Sequence, residues 1–193
     1  MGADMLNKIT AFAMAVPIVL ASILGTALAK EGPGLASLET AVAEFDTAMR
    51  ENDFETVADT IPPPVMAAMA KRFGMAPAGL RMVLISQMGA MMADIELLEF
   101  GMDFEGVEIA ETENGVPYAI LPTRTRMRSP ELGTVRGSSP TLAVSDGERW
   151  YLMRIDGEEQ LAIIRSVYPG LEDVTFPRAT IEFEEEEGGD TDG

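Results

Sequence analysis

The spacing of apolar residues changes period near the middle of the chain, and this change limits the fold more than any other feature. Leu35, Leu38, Val42, Phe45 and Met49 recur every three or four residues, which is the spacing of one helical face. After residue 106 apolar and polar residues instead alternate, as in a strand with one covered face. A run of helices followed by a run of strands predicts an α+β fold.

The last stretch of the helical half is apolar on almost every side. A helix is expected to begin near Pro77 and to run to about Asp94. Between Ala78 and Ile95 only Arg81 and Asp94 are charged. Because helices that are apolar nearly all round are usually buried, we expect this one in the interior of the fold.

Two pairs of turn residues divide the second half into antiparallel strands. Asn114-Gly115 and Asp146-Gly147 are residue types that favour tight β-hairpins, since they tolerate positive φ angles. A short helix is predicted after the strands, over residues 158–167. The expected architecture is therefore α+β, with N-terminal helices packed on one face of a curled antiparallel sheet and a short C-terminal helix.

Two features of the strand half indicate interruptions. Pro117 and Pro122 lie in the strand that follows the first turn, and proline cannot donate a ladder hydrogen bond. We therefore expect an edge position or a bulge there. Residues 133–138 are rich in Gly and Ser and are expected to form a loop.

The N-terminus has the composition of an export signal. Residues 9–29 carry no charge and close on a small-x-small pattern, Ala27-Leu28-Ala29, of the kind that signal peptidase cleaves. We expect residues 1–29 to be a signal peptide, which predicts a periplasmic or secreted protein without a membrane contact after cleavage. An uncleaved membrane anchor is the alternative, since the uncharged stretch is long enough to span a bilayer.

The remaining chain is expected to be one domain with a charged tail. Residues 30–178 are long enough for a single domain with its own core. Residues 179–193, rich in Glu, Asp and Gly, are predicted to be an acidic disordered tail. The 14 basic and 32 acidic residues give a net charge of −18, which argues against nucleic acid as a partner because phosphates require a basic surface.

Cysteine and histidine are both absent from the chain. Their absence removes disulfides, thiolate and Ser-His-Asp catalysis, and the usual zinc and iron–sulfur ligands. No catalytic motif, metal site or cofactor site is predicted. The sequence therefore favours a protein that is not an enzyme, without excluding catalysis by other residue types.

Three arginines stand out in this acidic chain. Arg124, Arg126 and Arg128 alternate along one strand and therefore share a face. Guanidinium groups suit carboxylate, phosphate or sulfate, so this stripe is the candidate ligand-binding site. The alternative is a solvated face on which the arginines pair with nearby acidic side chains.

Methionines are concentrated in the helical half. Seven of them fall between residues 66 and 92, and the pairs Met66/Met69 and Met88/Met91 place two sulfurs on one helical face. A Cu(I) thioether site is one interpretation. Adaptable core packing is the second, and an apolar ligand pocket lined by methionine is the third.

Four short segments resemble the NTF2-like superfamily, a group of cone-shaped α+β domains that includes small exported proteins. They are residues 45–57, 145–151, 168–171 and 174–177, and the resemblance extends over about residues 38–177. It implies a concave pocket between sheet and helices. Catalytic members often place His, Asp or Tyr in the cone, and this chain has no His.

These observations predict an exported, non-enzymatic binding module of the cell envelope. Its partner would be an unknown small apolar or anionic ligand, or an envelope protein, and a homodimer remains open. One alternative is a cone-pocket enzyme of the isomerase or dehydratase type that uses Asp, Glu, Tyr or Arg. The other is a structural assembly subunit.

Overall fold

Helices come first and strands second, as the change of period predicts. The computed structural model describes residues 34–184, and the predicted signal peptide at residues 1–29 lies outside them. In chain order the elements are α1 Leu35–Glu51, α2 Phe54–Asp59, α3 Pro63–Arg72, α4 Pro77–Met92, β1 Glu96–Met102, β2 Ala110–Glu111, β3 Pro117–Ser129, β4 Gly133–Ser145, β5 Trp150–Arg154, α5 Glu158–Val167 and β6 Thr180–Phe183.

Local signals set the boundaries of the first helices. α1 ends at Asn52, which adopts a left-handed φ of 57° and donates its N–H to the Met49 carbonyl. Asp53 caps α2, because its carboxylate accepts hydrogen bonds from the N–H and the hydroxyl of Thr56 at 3.1 and 2.7 Å. Pro63 lies in the first turn of α3, where its missing N–H has no partner to lose.

The strands form one curled antiparallel half-barrel, which confirms the α+β class. The hydrogen-bonded order is β1-β3-β4-β5, with β2 pairing with β3 beyond the end of β1, and β6 pairing with β4 beyond the end of β5. Both predicted hairpin turns are present, since Gly115 and Gly147 have φ angles of 73° and 92°. The two long central strands, β3 and β4, therefore carry two short strands on each side.

Proline lies in a central strand here, and the gaps between the short outer strands explain why. Pro122 and Pro140 face each other across β3 and β4. The Pro122 carbonyl accepts a hydrogen bond from Asp103 just after β1, and the Pro140 carbonyl accepts one from Ile155 just after β5. In an antiparallel sheet the N–H and the C=O of one residue point to the same neighbouring strand. The N–H that each proline lacks would therefore point to the place where β1 or β5 ends. The expected edge position for Pro122 is therefore wrong.

Helices cover both faces of the sheet near β5, whereas one covered face was expected. The cluster that joins α1 to the sheet consists of Leu38, Val42, Ala119, Leu121, Ala143, Trp150 and Leu152. The cluster that joins α3 and α5 to the opposite face consists of Val65, Leu142, Val144, Tyr151, Met153, Ile155, Leu161, Ile164 and Leu171. The strand residues of the two clusters alternate along β4 and β5, so each cluster buries one side of the sheet.

The prediction that α4 is buried is wrong. Leu80 is its one fully buried residue, and α4 packs against α2 and α3 with only part of its surface. Met82 remains 70% exposed and Met91 60% exposed. Composition predicted burial because it counts apolar residues, but a helix at the outside of a domain buries only the face that meets its neighbours.

Two segments expected to be irregular belong to the sheet. Residues 133–138, expected as a loop, are the first half of β4 and pair with β3 on one side and with β6 on the other. Thr180–Phe183 form β6, inside the segment 179–193 that was expected to be disordered. Both differences arise because strand pairing joins residues far apart in sequence, which local composition does not report.

Candidate functional site

The outer edge of β5 is closed by the connection between α2 and α3. The Leu152 N–H donates to the Thr60 carbonyl at 2.9 Å, and the Thr60 hydroxyl is 3.1 Å from the Leu152 carbonyl. These bonds satisfy backbone groups that an edge strand would otherwise expose. They also hold the helices beside the end of the sheet, where a cavity opens between them.

This cavity, which we call the edge pocket, has a volume of about 320 Å³. Its wall is formed by α1 to α5 and by β5, with Phe45 from α1, Val57 from α2, Met69 from α3, Met88 from α4, Leu152 from β5 and Ile163 from α5. The lining is mainly apolar. A volume near the lower end of the range for ligand sites fits a small molecule.

Three polar side chains lie together in the wall of the edge pocket. Arg154 places its Nε 2.7 Å from the Asp156 carboxylate, although the two are not aligned for a hydrogen bond. Gln160 donates from Nε2 to the Arg154 carbonyl at 2.6 Å and accepts at Oε1 from the Asp156 N–H at 3.1 Å. The amide of Gln160 therefore fixes the end of β5 to the start of α5, where Arg154 and Asp156 form an ion pair.

The methionines do not act as one group. Met69 and Met88 line the edge pocket, Met66 is buried between α3 and α4, and Met91 lies in solvent. The predicted pair Met88/Met91 is therefore divided between the pocket and the surface. This arrangement favours the interpretation of an apolar pocket lined by methionine over a Cu(I) site, which needs its sulfur atoms together.

Arg124, Arg126 and Arg128 share one face of β3, as predicted, and each is paired with a carboxylate. Arg124 lies 3.1 Å from Asp103, and Arg128 lies 3.2 Å from Glu96. These pairs are the arrangement that the solvated-face interpretation describes. Binding of an external anion by the three arginines stays a prediction.

Arg126 makes the strongest contact of the stripe. Its guanidinium donates to both carboxylate oxygens of Glu184, at 3.0 and 2.7 Å, and Arg136 reaches the same carboxylate at 2.6 Å. The hydrogen bonds from Arg126 hold the pKa of Glu184 below its ordinary value. Glu184 thus occupies the place that an external carboxylate would take.

A second polar cluster lies at the second hairpin. The Tyr151 hydroxyl donates to Asp146 at 3.0 Å, and the Arg149 guanidinium lies 4.5 Å from the centre of the Tyr151 ring. Backbone N–H groups of Arg149 and Glu148 lower the pKa of Asp146, and burial raises the pKa of Tyr151. Asp146 is thus a poor proton acceptor near neutral pH, whereas a carboxylate that acts as a general base works best with a pKa raised toward neutrality.

The edge pocket is a site that sequence reasoning missed. Thr60, Arg154 and Gln160 carry no motif, and the five helices that surround the pocket are spread along the described chain. Two signals pointed in this direction: the methionine enrichment of α3 and α4, through Met69 and Met88, and the resemblance that implies a pocket between sheet and helices. The arginine stripe was found because its residues alternate along one strand.

Comparison of the chain with protein-family models, with curated proteins and with solved structures finds no match. Within residues 34–184, no helix is both long enough and apolar enough to cross a membrane. In that same part of the chain, acidic side chains do not gather in groups of three that could hold a metal ion.

Proposed function

We propose that this protein is a non-enzymatic binding module for a small apolar ligand that carries one polar group. The edge pocket carries the proposal. Its apolar wall, with Met69 and Met88, would bury the body of the ligand, and the three polar side chains in the same wall would face its polar end. Ligand sites in proteins commonly combine an apolar lining with a few placed polar groups.

The proposed fold assignment is an NTF2-like cone. The supporting observations are the curled antiparallel half-barrel, the N-terminal helices and the short helix α5 after the sheet. The edge pocket lies between helices and sheet, which is where the resemblance implies a pocket.

The proposed location is the periplasm or the cell exterior. It rests on the uncharged residues 9–29 and the small-x-small pattern that ends them. The mass of the protein recovered from the cell-envelope fraction tests it. A mass that corresponds to residues 30–193 would support export with cleavage, and the full-length mass would contradict cleavage.

A matched pair of substitutions on α4 tests the binding proposal. Met88 lines the edge pocket and Met91, three residues later, lies in solvent. We expect Met88→Trp to fill the pocket and Met91→Trp to leave it open. The probe is anilinonaphthalene sulfonate, which joins an apolar ring system to an anionic group and fluoresces in apolar sites. Octanoate then serves as a competing ligand.

The expected result is saturable binding of the dye to the wild type and to Met91→Trp, with displacement by octanoate. Met88→Trp should weaken dye binding at least about tenfold, a loss of about 1.4 kcal/mol. Urea unfolding of each variant verifies that it is folded. Dye binding that is absent from the wild type, or equal in the two folded variants, would refute the edge pocket as the site.

A further inference from the structure

The charges in the wall of the edge pocket cancel each other. Within the described part of the chain, Arg154 and Asp156 are the two charged residues that line this cavity. The Arg154 Nε lies 2.7 Å from a carboxylate oxygen of Asp156, so the two side chains form a pair without net charge. A ligand that enters the edge pocket therefore meets a polar surface that is neutral as a whole.

Gln160 extends this polar surface without adding charge. Its Nε2 donates to the Arg154 carbonyl, and its Oε1 accepts from the Asp156 N–H. A primary amide carries two N–H groups and two acceptor lone pairs, and these bonds use one of each. Gln160 can therefore offer a ligand both a donor and an acceptor at one place.

The charged side chains next to Gln160 along the chain are mainly acidic. Asp156 precedes α5, and Glu158 and Glu159 lie in its first turn, where carboxylates interact favourably with the helix dipole. Arg72 is paired with Glu159, as Arg154 is with Asp156. An anionic group at this end of the edge pocket would meet charges of its own sign and basic side chains that already have partners.

We propose that the edge pocket binds an uncharged molecule whose polar end is a carboxamide or a hydroxyl group. The apolar body of the ligand lies against Met69 and Met88, and its polar end meets Gln160 and the ion pair. This inference rests on the proposed function, since it takes the edge pocket as the binding site. It names the class of ligand, which that function leaves open.

The preference for an uncharged group follows from the cost of removing it from water. A charged group loses more hydration than a neutral one in an apolar cavity, and only an available opposite charge offsets the loss. A carboxylate attracted by Arg154 is repelled by Asp156, so the two interactions largely cancel. An ammonium group meets the same cancellation with the signs reversed. An amide or a hydroxyl group both donates and accepts, so it can bind here without breaking the ion pair.

A series of ligands with one apolar chain and different polar ends tests the inference. The compounds are octanamide, octanol, octanoate and octylammonium, at about pH 7.5, where octanoate and octylammonium are charged. NMR of isotope-labelled methionine methyl groups measures binding at the pocket itself. Met69 and Met88 line the edge pocket and Met91 lies in solvent, so the first two signals should move and the third should not. Replacing each of these methionines by leucine assigns its signal.

Three substitutions separate the effect of the ion pair from that of charge in general. Asp156→Asn leaves Arg154 without its carboxylate, and Arg154→Gln leaves Asp156 without its guanidinium. Glu158→Gln is the control, because Glu158 is exposed and lies close in sequence but does not line the edge pocket. Each substitution replaces a charged side chain by a polar one of similar size.

We expect octanamide and octanol to bind the wild type at least about tenfold more tightly than octanoate and octylammonium. Asp156→Asn should strengthen the binding of octanoate about tenfold, and Arg154→Gln should do the same for octylammonium. Neither substitution should change the affinity for octanamide more than about threefold, and Glu158→Gln should leave the order of the four compounds as in the wild type.

Three results would overturn the inference, and they differ in what they leave standing. A wild type that binds octanoate or octylammonium as tightly as octanamide, with the Met69 and Met88 signals moving, overturns the class of ligand but leaves the edge pocket as the site. A gain for octanoate that is absent in Asp156→Asn, or equally large in Glu158→Gln, overturns the role of the ion pair. Signals of Met69 and Met88 that none of the four compounds moves refute the proposed function, and the inference with it.

Discussion

The two covered faces of the sheet can be tested by removing one buried side chain from each. Leu38 of α1 and Ile164 of α5 are both 0% exposed, and they belong to the clusters on opposite sides of β4 and β5. The proposed substitutions are Leu38→Ala and Ile164→Val, singly and together. Both shorten an apolar side chain without introducing a polar group.

The magnitudes follow from the size of the deletions. Truncating a fully buried leucine to alanine removes its contacts and leaves a cavity, which costs about 3–4 kcal/mol of unfolding free energy. Removing one methylene from Ile164 costs about 1 kcal/mol. Because the sheet separates the two clusters and they share no partner, the double variant should lose the sum, about 4–5 kcal/mol. A domain whose unfolding free energy is about 5–15 kcal/mol retains a measurable unfolding transition after the loss expected for Ile164→Val.

Urea unfolding measures these energies, followed by circular dichroism and by the fluorescence of Trp150, the single tryptophan. Trp150 is buried beside α1 and donates from its indole N–H to the Ser37 hydroxyl at 3.1 Å. Agreement between the two probes checks that the unfolding is two-state. If the double variant no longer folds, Leu38→Val replaces Leu38→Ala in the cycle.

Two results would refute the reasoning. A coupling energy above about 0.5 kcal/mol between the two sites would mean that they share partners, and hence that the sheet does not separate them. A loss below about 1 kcal/mol for Leu38→Ala would mean that α1 is not packed on the sheet as described.

Two further predictions concern a close approach and an ion pair. Gly170→Ala should cost about 1–3 kcal/mol of stability in urea unfolding, because the new Cβ would lie 2.7 Å from the Thr112 Cβ. Gly157→Ala is the control with open space, and equal losses would contradict this. The pKa of Glu184 is lower in the folded chain than the ordinary value for glutamate, about 4.3. Its carboxylate therefore stabilises the folded state at pH values above about 4.3, and this stabilisation disappears as the pH falls further. Glu184→Gln should therefore flatten the decline of unfolding free energy from pH 5 to 3, and an unchanged slope would disprove the role of Arg126.

Features that depend on neighbouring residues were predictable from the sequence. The turns at Gly115 and Gly147 and the helix over residues 158–167 appear where their local signals place them. The reason is that positive φ and helical periodicity involve residues within a few positions of one another.

Features that depend on distant neighbours were predicted less well. The apolar composition of α4 indicated a buried helix, but α2 and α3 cover only one side of it. The Gly- and Ser-rich start of β4 indicated a loop, but β3 and β6 pair with it from both sides. In each case the outcome depends on which partner an element meets, and composition does not report the partner.

The same distinction between nearby and distant residues applies to the candidate sites. Alternation along one strand was enough to place Arg124, Arg126 and Arg128 on a common face, but the tertiary structure decided that Glu184 would pair with Arg126. The edge pocket had no local signal beyond its methionines, because α1 to α5 and β5 form its wall together. The sequence by itself determined the class of fold, the turns and the absent residue types, since these depend on local geometry and composition. Only the tertiary structure decided which surfaces are buried, paired or left open, since these depend on contacts between residues far apart in the chain.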